Sequence, residues 1–354
     1  MDINKNFSEK IIRLSFIGAI LVVYVHSVNI ETYNITSGPI LILEKFINTI
    51  GRSAVPFFFF VSGFFVASTK STFTTVTKKR LKSIFLPYIS YNTIYTILFL
   101  LLSIFFAEKM KNPSTETDWI RGIFLYKYNV VGWFALQLLL YTPFTPLLRY
   151  TFLKSKAFAI IFLVFNFTLA AFNIEYEYVR PMGIFFYSFG MFAQLYYANY
   201  VKDIPMSNKE KVSIALVLLV FAETYYWCNY GDLKSINIIF RLPMMCSMFL
   251  LGDFIKIKLR YFMGFTFFIY LAHPYILGII KKIIYLKLYP YFTDSTLFIL
   301  LDFFIPPIIT VAILSIFIST MDRIYHKLPF PLQISYLSLN GFRKNRVERI
   351  LSSK

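Results

Sequence analysis

The chain has 354 residues, 57% of them hydrophobic and only 15% charged, with a formal net charge of +18. A soluble domain carries roughly 45–50% apolar and about 25% charged residues, so this composition excludes an ordinary soluble protein, which could not cover its surface. A bilayer supplies that cover and demands internally hydrogen-bonded backbone, which points to an all-α integral membrane protein.

A membrane span takes about 20 apolar residues. In chain order the apolar runs predict about ten transmembrane helices, over residues 11–30, 50–68, 84–107, 130–148, 157–172, 181–198, 212–230, 236–255, 261–280 and 295–320. The first run lacks a small-residue cleavage site and reads as a retained anchor. Residues 1–330 form one polytopic membrane domain, and 331–354 a basic cytoplasmic tail. No soluble domain, solenoid repeat or nucleotide-binding glycine loop interrupts the runs, so any chemistry sits among the helices.

Basic residues collect in cytoplasmic loops. With both termini inside, 24 of the 36 Lys and Arg fall on the inner side. They include Lys70, Lys78, Lys79, Arg80 and Lys82 after the second span, Lys256, Lys258 and Arg260 after the eighth, and seven residues beyond the tenth. This two-to-one bias favours an N-in, C-in topology. Lys281, Lys282 and Lys287 dissent by falling outside. The basic charge also suits anionic lipid. It is scattered and accompanies no nucleic-acid-binding module, so a nucleic-acid partner is not expected.

Ionisable groups within spans are costly and point to function by default. His26, near the outer end of the first span, is either a structural residue or a general base, for which an imidazole pKa near 6.5 is suited. Arg13 lies thirteen residues earlier, on the order of 20 Å along a helix, and reads first as an inner-face anchor. Arg52 opens the second span at a depth similar to His26; it either snorkels or holds a developing oxyanion. His273 precedes Pro274, which frees a backbone carbonyl one turn earlier that His273 is placed to satisfy. Glu223 and Arg241 are expected to form a buried pair. Cys228 and Cys246 lie in apolar stretches and read as small buried thiols rather than a disulfide. His26, His273 and His326 stand at no metal-ligand spacing, so no metal is expected. No G-x-S-x-G elbow marks a serine hydrolase.

The first run ends Val22-Val23-Tyr24-Val25-His26. The second reads Arg52-Ser53-Ala54-Val55-Pro56-Phe57-Phe58, then Ser62-Gly63. Lys79-Arg80-Leu81-Lys82 precedes Pro87-Tyr88, Trp133-Phe134 precedes Pro146-Leu147-Leu148, and Phe268-Ile269-Tyr270 leads into His273. In this order the segments resemble acyltransferase family 3, polytopic enzymes that modify bacterial surface glycans. The resemblance covers nearly the whole chain. Two basic positions of the family pattern are occupied by Ser15 and Ser83, with Arg13 and Lys82 nearby.

The resemblance implies an acyl-CoA co-substrate, often acetyl-CoA, with no bound cofactor. It also implies a glycan or glycolipid hydroxyl as acceptor and a place in the bacterial plasma membrane. On this basis His26 and Arg52 are the expected catalytic residues. Arg13, Lys79, Arg80, Lys82, Trp133 and His273 are the expected donor- or substrate-binding residues. A transporter or flippase for a glycan or lipid-linked sugar is the alternative, and a non-catalytic scaffold is a third; either leaves His26 and Arg52 without a chemical task.

Overall fold

Apolar runs that cross lipid must hydrogen-bond their own N–H and C=O groups, as a helix does, and the described residues take this solution. The computed structural model describes residues 5–29, 33, 35, 37–68, 73–105, 118–174, 178–229, 237–292, 295–327, 329 and 333. No β-strand occurs among the described residues. Lys70 and the basic tail expected over 331–354, apart from residue 333, lie outside them, as does the side chain of His326.

In chain order the helices are α1 (Lys5–Val25), α2 (Pro39–Gly51), α3 (Ala54–Ala67), α4 (Phe73–Arg80), a π-helical turn (Leu81–Phe85), α5 (Leu86–Phe105), α6 (Asp118–Phe124) and α7 (Gly132–Tyr141). They continue as α8 (Thr145–Lys154), α9 (Lys156–Ala171), α10 (Pro181–Lys202), α11 (Asn208–Cys228), α12 (Asn237–Leu251), α13 (Thr266–Lys287) and α14 (Thr296–Ile324). Local chemistry sets several starts. Ser207 caps α11 in a reciprocal box with Glu210. The Ser155 hydroxyl accepts from Phe158 N at 3.1 Å to open α9. Pro181 takes the first turn of α10, where its missing N–H costs nothing.

Five helical stretches are long and apolar enough to cross a membrane: Pro39–Ala67, Thr74–Leu101, Asn208–Cys228, Tyr261–Tyr291 and Thr296–Ile324. The other expected spans are helical but shorter, broken or more polar. Residues 130–148 divide into α7 and α8 around Pro143, with Pro146 in the first turn of α8. The eighth expected span contracts to the fifteen residues of α12. Residues 69–83, expected as a loop, hold α4 and most of the π turn. Exposed apolar side chains such as Val217, Val220 and Phe221 on α11 and Ile313, Ile316 and Phe317 on α14 form the outward faces that lipid would cover.

The core is packed through glycine. Gly63 of α3 faces the backbone carbonyl of Tyr187 on α10, and Gly190 of α10 faces the carbonyl of Phe60 on α3. A Cβ at either position would drive into main chain, so the pair sets how closely these helices approach. Around this pair α1 packs on α2, α3, α13 and α14. The expected Glu223–Arg241 ion pair does not form. Arg241 donates to the Met182 sulfur at 3.1 Å, while Glu223 lies beside Thr49 and Trp227. Both cysteines are free thiols, and Cys228 is exposed rather than buried.

Candidate active site

The site forms where α1 ends. His26 follows its last residue, with His26 N bonded to Val22 O at 3.2 Å and Ser27 N to Tyr24 O at 2.9 Å, a tightened final turn. The His26 side chain is exposed. Gly51 ends α2 against this turn: a Cβ there would meet Leu21 O at 2.9 Å and Val25 Cγ2 at 2.5 Å. The close approach carries the next residue, Arg52, to the same place.

Arg52 does not open a helix from outside, as the sequence suggests. It sits at the break between α2 and α3, half-buried, with its Nε donating to Asn48 Oδ1 at 3.0 Å. Its guanidinium lies within electrostatic reach of His26.

His273 comes from α13. Its ring centroid is 5.3 Å from that of His26, with the planes 44° apart. Pro274 has no N–H to give the Tyr270 carbonyl one turn earlier, and His273 Nδ1 takes that carbonyl at 2.8 Å. A carbonyl only accepts, so Nδ1 carries the proton and Nε2 presents a lone pair. His273 is fully buried and its Nε2 has no hydrogen-bond partner among the described residues.

Below the two imidazoles lies an aromatic floor. Tyr270 packs on Phe134 at 5.3 Å and Phe58 at 6.0 Å between centroids, and its hydroxyl donates to Val131 O at 3.1 Å. Trp133 stands beside this floor, 6.0 Å from Phe59, with the Arg180 guanidinium 4.4 Å over its ring. Arg180 lies within electrostatic reach of Tyr270 and Tyr141. Nothing in the sequence sets Arg180 apart from a loop charge.

The remaining expected residues lie apart from this centre. Arg13 is engaged at the other end of α1, paired with Glu9 at 2.7 Å and donating to Ile257 O at 2.8 Å. Beside it Lys10 and Lys211 share Asp253, at 2.6 and 2.8 Å. Lys79 and Lys82 are exposed, whereas Arg80 is half-buried and reaches the hydroxyl of Tyr187, which also meets Thr145 Oγ1 at 2.7 Å. Tyr187 backs onto Gly63, eleven residues along α3 from Arg52, or about 16 Å. The π turn that follows Arg80 inserts extra backbone where the basic residues cluster, a distortion frequent at functional sites.

The structure therefore brings His26, Arg52 and His273 to one point, sets Trp133 near it, and leaves Arg80 pointing inward from the opposite end. Such a centre can remove a proton from a hydroxyl and stabilise negative charge. No cluster of His, Cys, Asp or Glu suited to a metal occurs among the described residues. A family model described as an acyltransferase domain matches residues 13–321, nearly the whole chain. No curated protein and no solved structure matches it.

Proposed function

The chain belongs to this acyltransferase family, and on that premise we propose that it moves an acyl group, acetyl in the simplest case, from acyl-CoA to a hydroxyl of a cell-surface glycan or glycolipid. It is a multi-pass membrane protein, and the proposal places it in a bacterial plasma membrane with both termini inside. The inner-side excess of Lys and Arg supports that orientation. It puts His26 toward the acceptor side and Arg80 toward the donor side.

The observation that carries the proposal is the convergence of His26, Arg52 and His273. In the proposed reaction His26 takes the proton from the acceptor hydroxyl as its oxygen attacks the thioester carbonyl. Arg52 faces the oxyanion of the tetrahedral intermediate. Collapse of that intermediate expels the CoA thiolate, which recovers the proton from His26. His273, its Nδ1–H committed to Tyr270 O, is a neutral acceptor beside His26 and fixes how that ring is presented. Exposed Lys79 and Lys82 draw in the CoA phosphates, Arg80 guides the thioester arm inward past Tyr187, and Trp133 flanks its path beside the aromatic floor.

The test is His26→Ala and Arg52→Ala in membranes supplied with labelled acetyl-CoA. Loss of a general base costs about 10²–10⁴-fold and loss of an oxyanion donor about 10²–10³-fold, so transfer by either variant should fall by at least about 100-fold at normal protein level. Transfer at the wild-type rate by His26→Ala would refute the mechanism.

A further inference from the structure

A second polar cluster lies immediately beyond His26, and its members come from three helices. Lys281 of α13 donates through Nζ to Ser27 O at 2.7 Å and also to Asn29 Oδ1. Asp302 of α14, 3% exposed, sits 3.8 Å from the same ammonium and accepts from the Tyr33 hydroxyl at 3.0 Å. Glu44 of α2, fully buried, accepts from the backbone N of Asn29 at 2.8 Å.

The Ser27 hydroxyl donates to Phe303 O at 3.3 Å. That carbonyl is open because Pro307, four residues on, has no N–H to offer it. Lys281 is thus no loop cation, as its place in the sequence suggests. It is a half-buried charge at the C-terminal end of α1, where carbonyls lack helical partners and a cation is favoured.

The spacing ties this cluster to the reacting groups. Lys281 lies eight residues after His273 on α13, and Glu44 lies eight residues before Arg52 on α2. Eight helical residues span about 12 Å. The two helices that bring partners to His26 therefore also grip the chain that follows it. Buried ion pairs are costly to desolvate and contribute little net stability, but they define geometry where both partners are satisfied.

We infer that Lys281, with Asp302 and Glu44, is a positioning site that holds residues 27–29 and so fixes His26 against His273 and Arg52 for proton transfer. This inference rests on the acyltransfer function proposed above. It gives the charges that α2, α13 and α14 bring together one task, which is to set the orientation of His26 from the backbone side while His273 and Arg52 face its ring.

Lys281→Met alone would leave buried carboxylates without their cation, so the principal test is the neutral double variant Lys281→Met/Asp302→Asn. Membranes carrying it, Lys281→Arg, Ser27→Ala or His26→Ala would be assayed with labelled acetyl-CoA by incorporation into the membrane glycan fraction. The double variant should lower kcat about tenfold with the KM for acetyl-CoA unchanged. Lys281→Arg, which keeps the charge, should recover at least half of the wild-type kcat. If the double variant fails to accumulate, Ser27→Ala, which removes a single hydrogen bond, should still lower kcat severalfold at unchanged KM.

Wild-type kcat in the double variant, or in Ser27→Ala where the double variant does not accumulate, would overturn the positioning role. So would a rise in KM with kcat unchanged. A dead His26→Ala beside a fully active double variant would sink only this inference. An active His26→Ala would sink the function on which it rests.

Discussion

At the scale of single residues, one proline explains the state of one histidine. Pro274 opens the Tyr270 carbonyl, His273 Nδ1 fills it, and Nε2 is left as a lone pair beside His26. Pro274→Ala returns an N–H that competes for the same carbonyl. His273 then loses its fixed tautomer, and transfer should fall by up to about 10²-fold, the scale of a ~1 Å misplacement of a reacting group. Rates in membranes at matched protein level check this; an unchanged rate would separate the proline from the chemistry. This local relation was legible in the sequence, because a proline and its freed carbonyl lie four residues apart. The meeting of His26 with His273 was not, since 247 residues separate them and only the packing of α1 on α13 joins them. The role of Lys281 is hidden for the same reason: its carbonyl and carboxylate partners come from distant segments, so in the sequence it reads as an outer charge without partners.

At the scale of elements, close helix approach sets the site. Gly63 and Gly190 let α3 and α10 touch through main chain, and α3 starts two residues after Arg52. Gly190→Val would force the helices apart; overpacking a tight core costs about 1–3 kcal/mol, and more is expected where the clash is with backbone. Thermal unfolding in detergent should therefore move to a clearly lower temperature, whereas an unchanged midpoint would mean that the contact is slack. Gly51→Ala is a finer probe. Its methyl meets Leu21 O at 2.9 Å and Val25 near the end of α1, so it should reduce transfer while lowering the unfolding midpoint less than Gly190→Val does. Helix type was readable from composition because lipid leaves few alternatives. Helix ends were less so. Residues 39–51 carry Glu44, Lys45 and Asn48, which hid α2 before the apolar run, and with it the break that holds Arg52. The division of α7 from α8 follows from Pro143 and Pro146, which a hydropathy window averages away.

At the scale of the whole molecule, two ends of the bundle are chemically distinct. One holds His26, Arg52, His273 and the Lys281 cluster. The other holds the Lys10–Asp253–Lys211 bridge, the Arg13–Glu9 pair and the basic α4 segment. The proposed orientation places the first end outward. In a Cys228→Ser/Cys246→Ser background, a cysteine at exposed Tyr291, between α13 and α14, should react with a membrane-impermeant maleimide in intact cells. One at exposed Lys154, at the end of α8, should react only after the membrane is opened. The reverse pattern would invert the donor and acceptor sides. The most direct test of acyl transfer through His26 is mass analysis of the surface glycan from cells carrying the wild-type chain, His26→Ala or no copy. The wild type should add one acyl increment per modified sugar, whose mass identifies the group, and the other two should give the same unmodified glycan. An increment that persists with His26→Ala, or is absent from the wild type, would contradict it.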